Sequence, residues 1–336
     1  MEINFEHRHA AHCENGVVRN LLNFYGIKLS EPMTLGLGSG IFFSHMPFYR
    51  LHGMALTSFR YFPGSIFTRV TQALGIEVQW HKFKDPDKAM AKLDEVLAQG
   101  IPVGLRVGVY HLAYFPKEYR MHFNAHNLCV IGKEGDEYII SDPIGMNKNR
   151  LSAENLKKVR FAQGTSPPEG RMYYIKSTEH YKPLTAEMLY KATLKTCSGM
   201  LGIPFPMFGA KGIAYLAKRM RKWEKLYGER GAAMNLAQVI RMLEEIGTGG
   251  AGFRFMYAAF LQEASEFLDK PEWNQLSMEL TEVGDLWRDF SYHAARFFKK
   301  REGIILSYDD IADKLDVISA RETEVFRKLE NSIKRG

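Results

Sequence analysis

The chain has 336 residues, of which 46% are hydrophobic and 25% charged, a balance typical of a globular protein and not of a disordered one. No apolar run approaches the length of about 20 residues that a membrane helix needs, and the polar N-terminus is unlike a secretory signal, so we expect a cytoplasmic protein. The net charge of +7 can favour nucleic acid, anionic lipid or an acidic protein partner and does not choose among them. No nucleic-acid-binding signature accompanies it, so no nucleic acid is expected. Three cysteines, an odd number, argue against a disulfide framework.

The secondary-structure pattern changes once along the chain. Residues 1–180 mix helix and strand signals, whereas residues 185–336 are nearly all helical in pattern. The junction at 176–183 is polar and contains a proline, as is typical of a linker. The sequence therefore predicts an α+β domain with an antiparallel sheet over 1–180, followed by an all-α domain over 185–336.

The first predicted helix begins at or just after Cys13. Val17, Val18 and Leu21 recur at helical spacing, and Gly26 stands where a C-terminal cap belongs. Further signals in this half predict helices over 65–74 and 86–99, and strands over 76–80 and 101–107. Cys13 is therefore expected at a helix N-terminus.

A predicted β-hairpin over 126–143 carries the most informative residues. Two β-type runs flank a three-residue loop that ends in glycine, a recognised hairpin connection. If Gly132 pairs with Asp136, then His126 lies opposite Asp142, and directly opposed residues share one face of the sheet. This register predicts an imidazole beside a carboxylate at the open end of the hairpin.

Cys13, His126 and Asp142 together match the requirements of a cysteine nucleophile. A helix N-terminus favours the thiolate, an imidazole can take the thiol proton, and a carboxylate orients the imidazole. The alternative is that Cys13 is a small buried hydrophobe and His126 a structural residue. Cys129 falls in mid-strand on the opposite face from His126, which indicates core packing, and Cys197 has no visible partner.

The N-terminal half contains several short motifs: His12-Cys13-Glu14-Asn15-Gly16, Leu21-Leu22, Tyr25-Gly26, the run 35–42, His126 and Ser141-Asp142-Pro143. Together they resemble the N-terminal domain of the butirosin biosynthesis protein H family. That domain is similar to bacteriocin-processing peptidase domains, which have a papain-like fold and the same order of motifs. The C-terminal half resembles the second domain of this family through 247–254 and 256–258.

The resemblance implies an acyltransferase. The family's named member moves an acyl group from an acyl carrier protein thioester to an amine of an aminoglycoside. By this resemblance Cys13 attacks a carrier-protein or coenzyme A thioester, and an amine deprotonated by His126 accepts the acyl group. The expected partners are an acyl carrier protein and a small-molecule amine, in secondary metabolite or lipid biosynthesis. No cofactor is expected, since the phosphopantetheine arm belongs to the donor.

The oxyanion stabiliser departs from the peptidase relatives, which use a glutamine shortly before the cysteine. Residues 6–12 contain no glutamine. The amide of Cys13, with His7 or His9 as a second donor, is the expected replacement. These histidines lack the close pairing of a structural zinc site, so no metal is predicted.

Two glycine-rich segments are weaker candidates. Residues 36–40 do not follow a βαβ pattern and are not a nucleotide loop; Gly38 and Ser39 either line the cleft near Cys13 or form an ordinary turn.

The second segment, 247–252, opens a predicted helix. The amides of Gly249 and Gly250, aided by Arg254 and Tyr257, are candidates for binding the phosphate of a phosphopantetheine arm. Close helix packing is the alternative.

Two other functions stay open from the sequence. A cysteine peptidase or amidohydrolase would hydrolyse its substrate instead of forming an amide. A non-catalytic binding module on the same frame would leave Cys13 unreactive. Product analysis separates the first from an acyltransferase, and alkylation of Cys13 separates the second.

Overall fold

The computed structural model of the chain describes residues 2–51, 53–299 and 306–334. The strands are β1 Ile41–Leu51, β2 Met54–Arg60, β3 Glu77–His81, β4 Val103–Val107, β5 His126–Glu134, β6 Glu137–Ser141, β7 Asn149–Ser152 and β8 Met172–Ser177. The α-helices are α1 Cys13–Phe24, α2 Glu31–Leu37, α3 Ser65–Ala73, α4 Pro86–Ala98, α5 Ala153–Arg160, α6 Ala186–Cys197, α7 Ala210–Met220, α8 Trp223–Ile240, α9 Arg254–Leu268, α10 Pro271–Phe298 and α11 Tyr308–Lys334.

The chain divides into two compact units. The first comprises Met1–Thr34 and Ile66–Pro183, and the second comprises Leu35–Ser65 and Leu184–Gly336. The segment 35–65, which the sequence analysis placed in the N-terminal domain, therefore belongs to the second unit.

Local helix signals in the first unit correspond to observed elements. Asp85 caps α4 by accepting hydrogen bonds from two amides of its first turn, as its position before Pro86 suggests. Gly26 and Gly100 follow α1 and α4 with φ of 79° and 76°. A side chain at such φ is strained, so glycine ends both helices.

The first unit is built on a six-stranded antiparallel sheet in the order β3-β8-β4-β5-β6-β7. All five residues of β4 and the first seven of β5 are buried. Helices α1, α4 and α5 pack against these central strands. The predicted α+β class, with its antiparallel sheet, is confirmed.

The predicted register of the β5–β6 hairpin is wrong. The strands end at Glu134 and resume at Glu137, so the loop has two residues, with Gly135 at φ of 56°. A bulge between Val130 and Gly132 changes the register again, and Val130 pairs with Ile140 instead of Tyr138. His126 therefore lies diagonal to Asp142, not directly opposite it.

The second unit is helical from α6 onward, as predicted, but it also contains the antiparallel β1–β2 hairpin. Phe43 and Phe59 of this hairpin lie against Trp287 of α10, with ring centroids 6.0 and 5.3 Å from the indole. All three rings are buried, so the hairpin forms part of the helical core. Among the described residues, no helix is long and apolar enough to cross a bilayer.

Candidate active site

Cys13 is the first residue of α1, and the turn before it is held by hydrogen bonds. His12 caps the helix through its Nδ1, which accepts the amide of Asn15 at 3.3 Å. The carboxylate of Glu31 accepts the amides of Ala11 and His12 at 3.0 and 2.8 Å. These hydrogen bonds fix the backbone that carries the Cys13 side chain. The sulfur lies at the positive end of the helix dipole, which stabilises the thiolate form.

A close backbone approach joins the start of α1 to the turn after β6. The amide of Ala10 donates to the carbonyl of Pro143 at 2.7 Å. A Cβ placed on Gly16 would come 2.5 Å from the Cβ of Pro143 and 2.6 Å from that of Ala10. Only glycine fits there, and its small size lets the cysteine turn lie against the turn that follows Asp142.

His126 and Asp142 form a buried hydrogen-bonded pair. His126 Nε2 lies 2.7 Å from Asp142 Oδ2, and the amide of Ile144 donates to Oδ1 at 3.1 Å. The imidazole also hydrogen bonds to Cys13. Since Asp142 takes Nε2, the ring nitrogen left for the sulfur is Nδ1. The structure thus brings together the three residues that the sequence singled out.

Cys13, His126 and Asp142 form a hydrogen-bonded array, whose electrostatics favour a charged imidazole. Burial of His126 disfavours the imidazolium, but the charge and hydrogen bond of Asp142, with a smaller effect of Cys13, raise the pKa of His126 to about 10. The pair is shielded from solvent, since His126 is 5% exposed and Asp142 is fully buried. Cys13 keeps 8% exposure and is the most accessible of the three.

Sequence reasoning missed Tyr114, whose hydroxyl donates to Asp142 Oδ2 at 2.8 Å. Tyr114 lies in the loop 108–125 between β4 and β5. The next residue, Phe115, places its ring edge-on to His126 at 5.9 Å. The loop has no helix or strand periodicity that would have predicted these contacts.

The predicted oxyanion role of His7 is wrong. Both ring nitrogens of His7 are in use: Nδ1 bonds to Ser141 Oγ at 2.8 Å and Nε2 to the carbonyl of Gly145 at 3.1 Å. His7 instead ties the N-terminal segment to both ends of the Asp142 turn. His9 has an exposed side chain, and its carbonyl accepts a hydrogen bond from Arg19. The amide of Cys13, at the helix N-terminus, is the remaining candidate that the sequence named.

Gly38 and Ser39 lie in the second unit. Ser39 is buried, with φ of 46°, and its hydroxyl donates to the carbonyl of Ala192 at 2.9 Å. Gly36 packs closely against the ring of Phe260, which would lie 2.1 Å from a Cβ added to this glycine. These contacts correspond to the turn-and-packing alternative for this glycine run.

The predicted phosphate-binding roles of Arg254 and Tyr257 are contradicted by burial, since neither side chain has any exposed surface. Arg254 donates to both carboxylate oxygens of Glu322, at 2.7 and 2.9 Å. Its charge is therefore balanced inside the unit. Tyr257 packs on Phe260 at 5.1 Å between ring centroids.

The loop around Gly249 and Gly250 also bonds internally. The amide of Gly250 donates to Thr248 Oγ1 at 3.1 Å, and the amide of Ala251 donates to Glu244 Oε2 at 3.3 Å. A carboxylate already occupies the position where an anionic ligand was predicted. Gly249 is exposed.

The other cysteines are core residues. Cys129 and Cys197 are fully buried, and neither forms a disulfide. Burial, with a contribution from the charge of Asp142, raises the pKa of the Cys129 thiol strongly. Over the described part of the chain, no cluster of three or more histidine, cysteine or acidic side chains is arranged to hold a metal ion.

Comparisons with known proteins cover both halves of the chain. Residues 12–143 match the family described as butirosin biosynthesis protein H, N-terminal, and residues 154–329 match a domain of unknown function, DUF4872. Among solved structures, a protein described as a C39-like peptidase from Bacillus anthracis is 14% identical, with a TM-score of 0.37 and coverage of 53% of this chain and 98% of that one. Curated protein sequences gave no significant match.

Proposed function

Because the chain belongs to the butirosin biosynthesis protein H family, we propose that it transfers an acyl group from a thioester donor through Cys13 to an amine. The observation that carries the proposal is the row of hydrogen bonds from Cys13 through His126 to Asp142. A buried imidazole with a raised pKa stays protonated at neutral pH and stabilises a thiolate beside it. Such a pair supports covalent cysteine catalysis.

In the first half-reaction, the Cys13 thiolate attacks the carbonyl carbon of the thioester. A new carbon–sulfur bond forms to Cys13, and the bond to the donor sulfur breaks. The leaving thiolate takes the proton of the His126 imidazolium and departs as a thiol. Cys13 is then acylated and His126 is neutral, with Asp142 keeping the ring oriented through Nε2.

In the second half-reaction, an amine attacks the acyl-cysteine. Neutral His126 accepts the proton that the amine loses, and the carbon–sulfur bond to Cys13 breaks. The products are an amide and the original thiolate–imidazolium pair. Every proton that the two half-reactions move passes through His126.

A thioester suits this site better than a peptide. Its thiolate leaving group departs with less help than an amine, and its carbonyl is more electrophilic. The departure from the peptidases, which use a glutamine before the cysteine, therefore matters less for thioester chemistry. The donor we favour is a phosphopantetheine thioester on an acyl carrier protein, with coenzyme A as the other source. The free thiols of all three cysteines suit the reducing cytoplasm.

The test is intact-mass analysis of wild type and Cys13→Ala after incubation with acyl-coenzyme A and acyl carrier protein thioesters. The expected result is one added acyl mass on wild type and none on Cys13→Ala. Adding a panel of amines should then discharge the acyl group and yield an amide.

Three other results would contradict the proposal. An adduct on both proteins would remove Cys13 from the mechanism. Discharge to the free acid at a rate that no amine changes would favour a hydrolase. If no acylated protein forms and Cys13 also resists iodoacetamide at neutral pH, the result would indicate a binding module.

A further inference from the structure

One carboxylate oxygen in the array serves two donors. Oδ2 of Asp142 accepts from His126 Nε2 at 2.7 Å and from the hydroxyl of Tyr114 at 2.8 Å. Among the described residues, Oδ1 accepts one hydrogen bond, from the amide of Ile144 at 3.1 Å. Asp142 is fully buried, so no bulk water competes for these positions. The imidazole and the phenol therefore both draw on the negative charge of one oxygen, each through one of its two lone pairs.

Tyr114 remains a donor across the working pH range. Burial, the charge of Asp142 and their hydrogen bond hold the pKa of Tyr114 well above its usual value. The phenol thus keeps its proton and stabilises the charge on Asp142. A donor to a carboxylate lowers the affinity of that carboxylate for any other proton.

The loop that carries Tyr114 is held by hydrogen bonds within itself. The guanidinium of Arg120 donates to the carbonyls of Phe115 and Ala113 at 2.7 and 2.5 Å. The ring of Phe115 contacts His126 edge-on from the same loop. These hydrogen bonds stabilise the conformation of the loop segment on either side of Tyr114.

We propose that Tyr114 is a positioning residue that shares Oδ2 of Asp142 with His126 and so limits how tightly the carboxylate holds the imidazole proton. This role concerns the same site, and its use in catalysis rests on the proposed function. In the second half-reaction His126 must be neutral to accept the amine proton. A carboxylate with its charge partly satisfied by Tyr114 leaves the imidazole easier to deprotonate.

The titratable groups that interact with this array among the described residues are Cys13, Tyr114, His126, Cys129 and Asp142. His126 faces Cys13 from α1 and Asp142 from the turn after β6. Asp142 faces His126 and Tyr114, and its charge also reaches Cys129 on β5. A substitution at Tyr114 should therefore change the pKa of His126 through one residue, Asp142.

The experiment is a histidine ¹⁵N NMR titration in the Cys13→Ala background, which removes the thiolate and needs no substrate. Tyr114→Phe should raise the His126 pKa by about half a unit or more, because the carboxylate loses a competing donor. Incorporation of 3,5-difluorotyrosine at position 114, a stronger donor, should lower it. The control is Tyr119→Phe, whose ring is 64% exposed on the same loop.

An unchanged or lowered His126 pKa in Tyr114→Phe would overturn the inference, as would difluorotyrosine raising it. A merely structural tyrosine would change thermal stability alone. The titration does not depend on acyl transfer, so absence of an acyl-enzyme would sink the proposed function and leave this measurement standing. If Tyr114→Phe does not fold, the fluorinated protein decides by itself.

Discussion

Gly16 lies in contact with Pro143, so close that a methyl group on Gly16 would come 2.5 Å from the proline Cβ. The two residues stand on either side of the array: Gly16 lies one helical turn after Cys13, and Pro143 follows Asp142 directly. Their contact, with the hydrogen bond from Ala10 to Pro143, sets the spacing between the nucleophile helix and the carboxylate turn.

Substituting Gly16 by alanine tests this spacing. Alanine favours a helix by up to about 1 kcal/mol, but the overlap with Pro143 and Ala10 costs about 1–3 kcal/mol, since neither neighbour can rotate away. We expect a lower free energy of unfolding in urea and slower alkylation of Cys13. The matched control is Gly202→Ala, where the nearest atom to an added Cβ is 3.6 Å away. A stabilised Gly16→Ala protein with unchanged alkylation would contradict the role of this contact.

Removing the charge of Asp142 should suppress the reactivity of Cys13 at low pH. Burial lowers the pKa of His126 and the carboxylate more than reverses this, raising it to about 10. In Asp142→Asn burial is opposed only by the smaller effect of Cys13, so we expect the imidazole to be neutral at pH 6 and the thiolate to lose its counter-charge. The iodoacetamide rate at pH 6 should fall by about tenfold or more, whereas in wild type it should stay level through neutral pH. Asp136→Asn, in the exposed hairpin turn, is the control and should match wild type.

The native protein should take up a single alkyl group. Cys13 is 8% exposed, whereas Cys129 and Cys197 are fully buried. Burial, with the charge of Glu330, raises the pKa of Cys197 to about 12, which further slows its reaction. Intact mass should show one adduct on native wild type, none on native Cys13→Ala, and three on urea-unfolded wild type. Native modification at either buried cysteine would refute this assignment.

The buried ion pair of the second unit predicts a large stability loss. Glu322 accepts from Arg254 and, at 2.7 Å, from the indole of Trp287. Glu322→Gln leaves the guanidinium unbalanced in a site without solvent, at a cost of about 3 kcal/mol. Urea unfolding followed by tryptophan fluorescence measures it.

The control for this pair is Glu282→Gln. The side chain of Glu282 is 66% exposed and pairs with Arg321, so its loss should cost less than about 1 kcal/mol. If Glu322→Gln cost as little stability as Glu282→Gln, the charge of Arg254 would have to be balanced by another group. That result would reopen the predicted role of Arg254 in ligand binding.

The chain's local signals were enough to locate the main elements of the first unit and its three central residues, Cys13, His126 and Asp142. Helix caps and ends depend on residues within one turn, so Asp85 and Gly26 were informative by themselves. The contact of His126 with Asp142 was predicted correctly even though the register was wrong. The error amounted to two residues, from Tyr138 to Ile140 opposite Val130, and side chains alternate with a period of two. Both residues therefore stayed on one face.

What the chain alone could not reveal are the partners that come from far away in sequence. Tyr114 reaches Asp142 from an irregular loop, His7 bonds across 134 residues to Ser141, and Arg254 finds Glu322 across 68. Periodicity reports which face of an element is apolar, not which distant polar group will meet a buried charge. The residue types capable of the chemistry were therefore readable from the sequence, whereas their hydrogen-bond partners, the grouping of 35–65 with the helices and the burial of Arg254 were decided by tertiary packing.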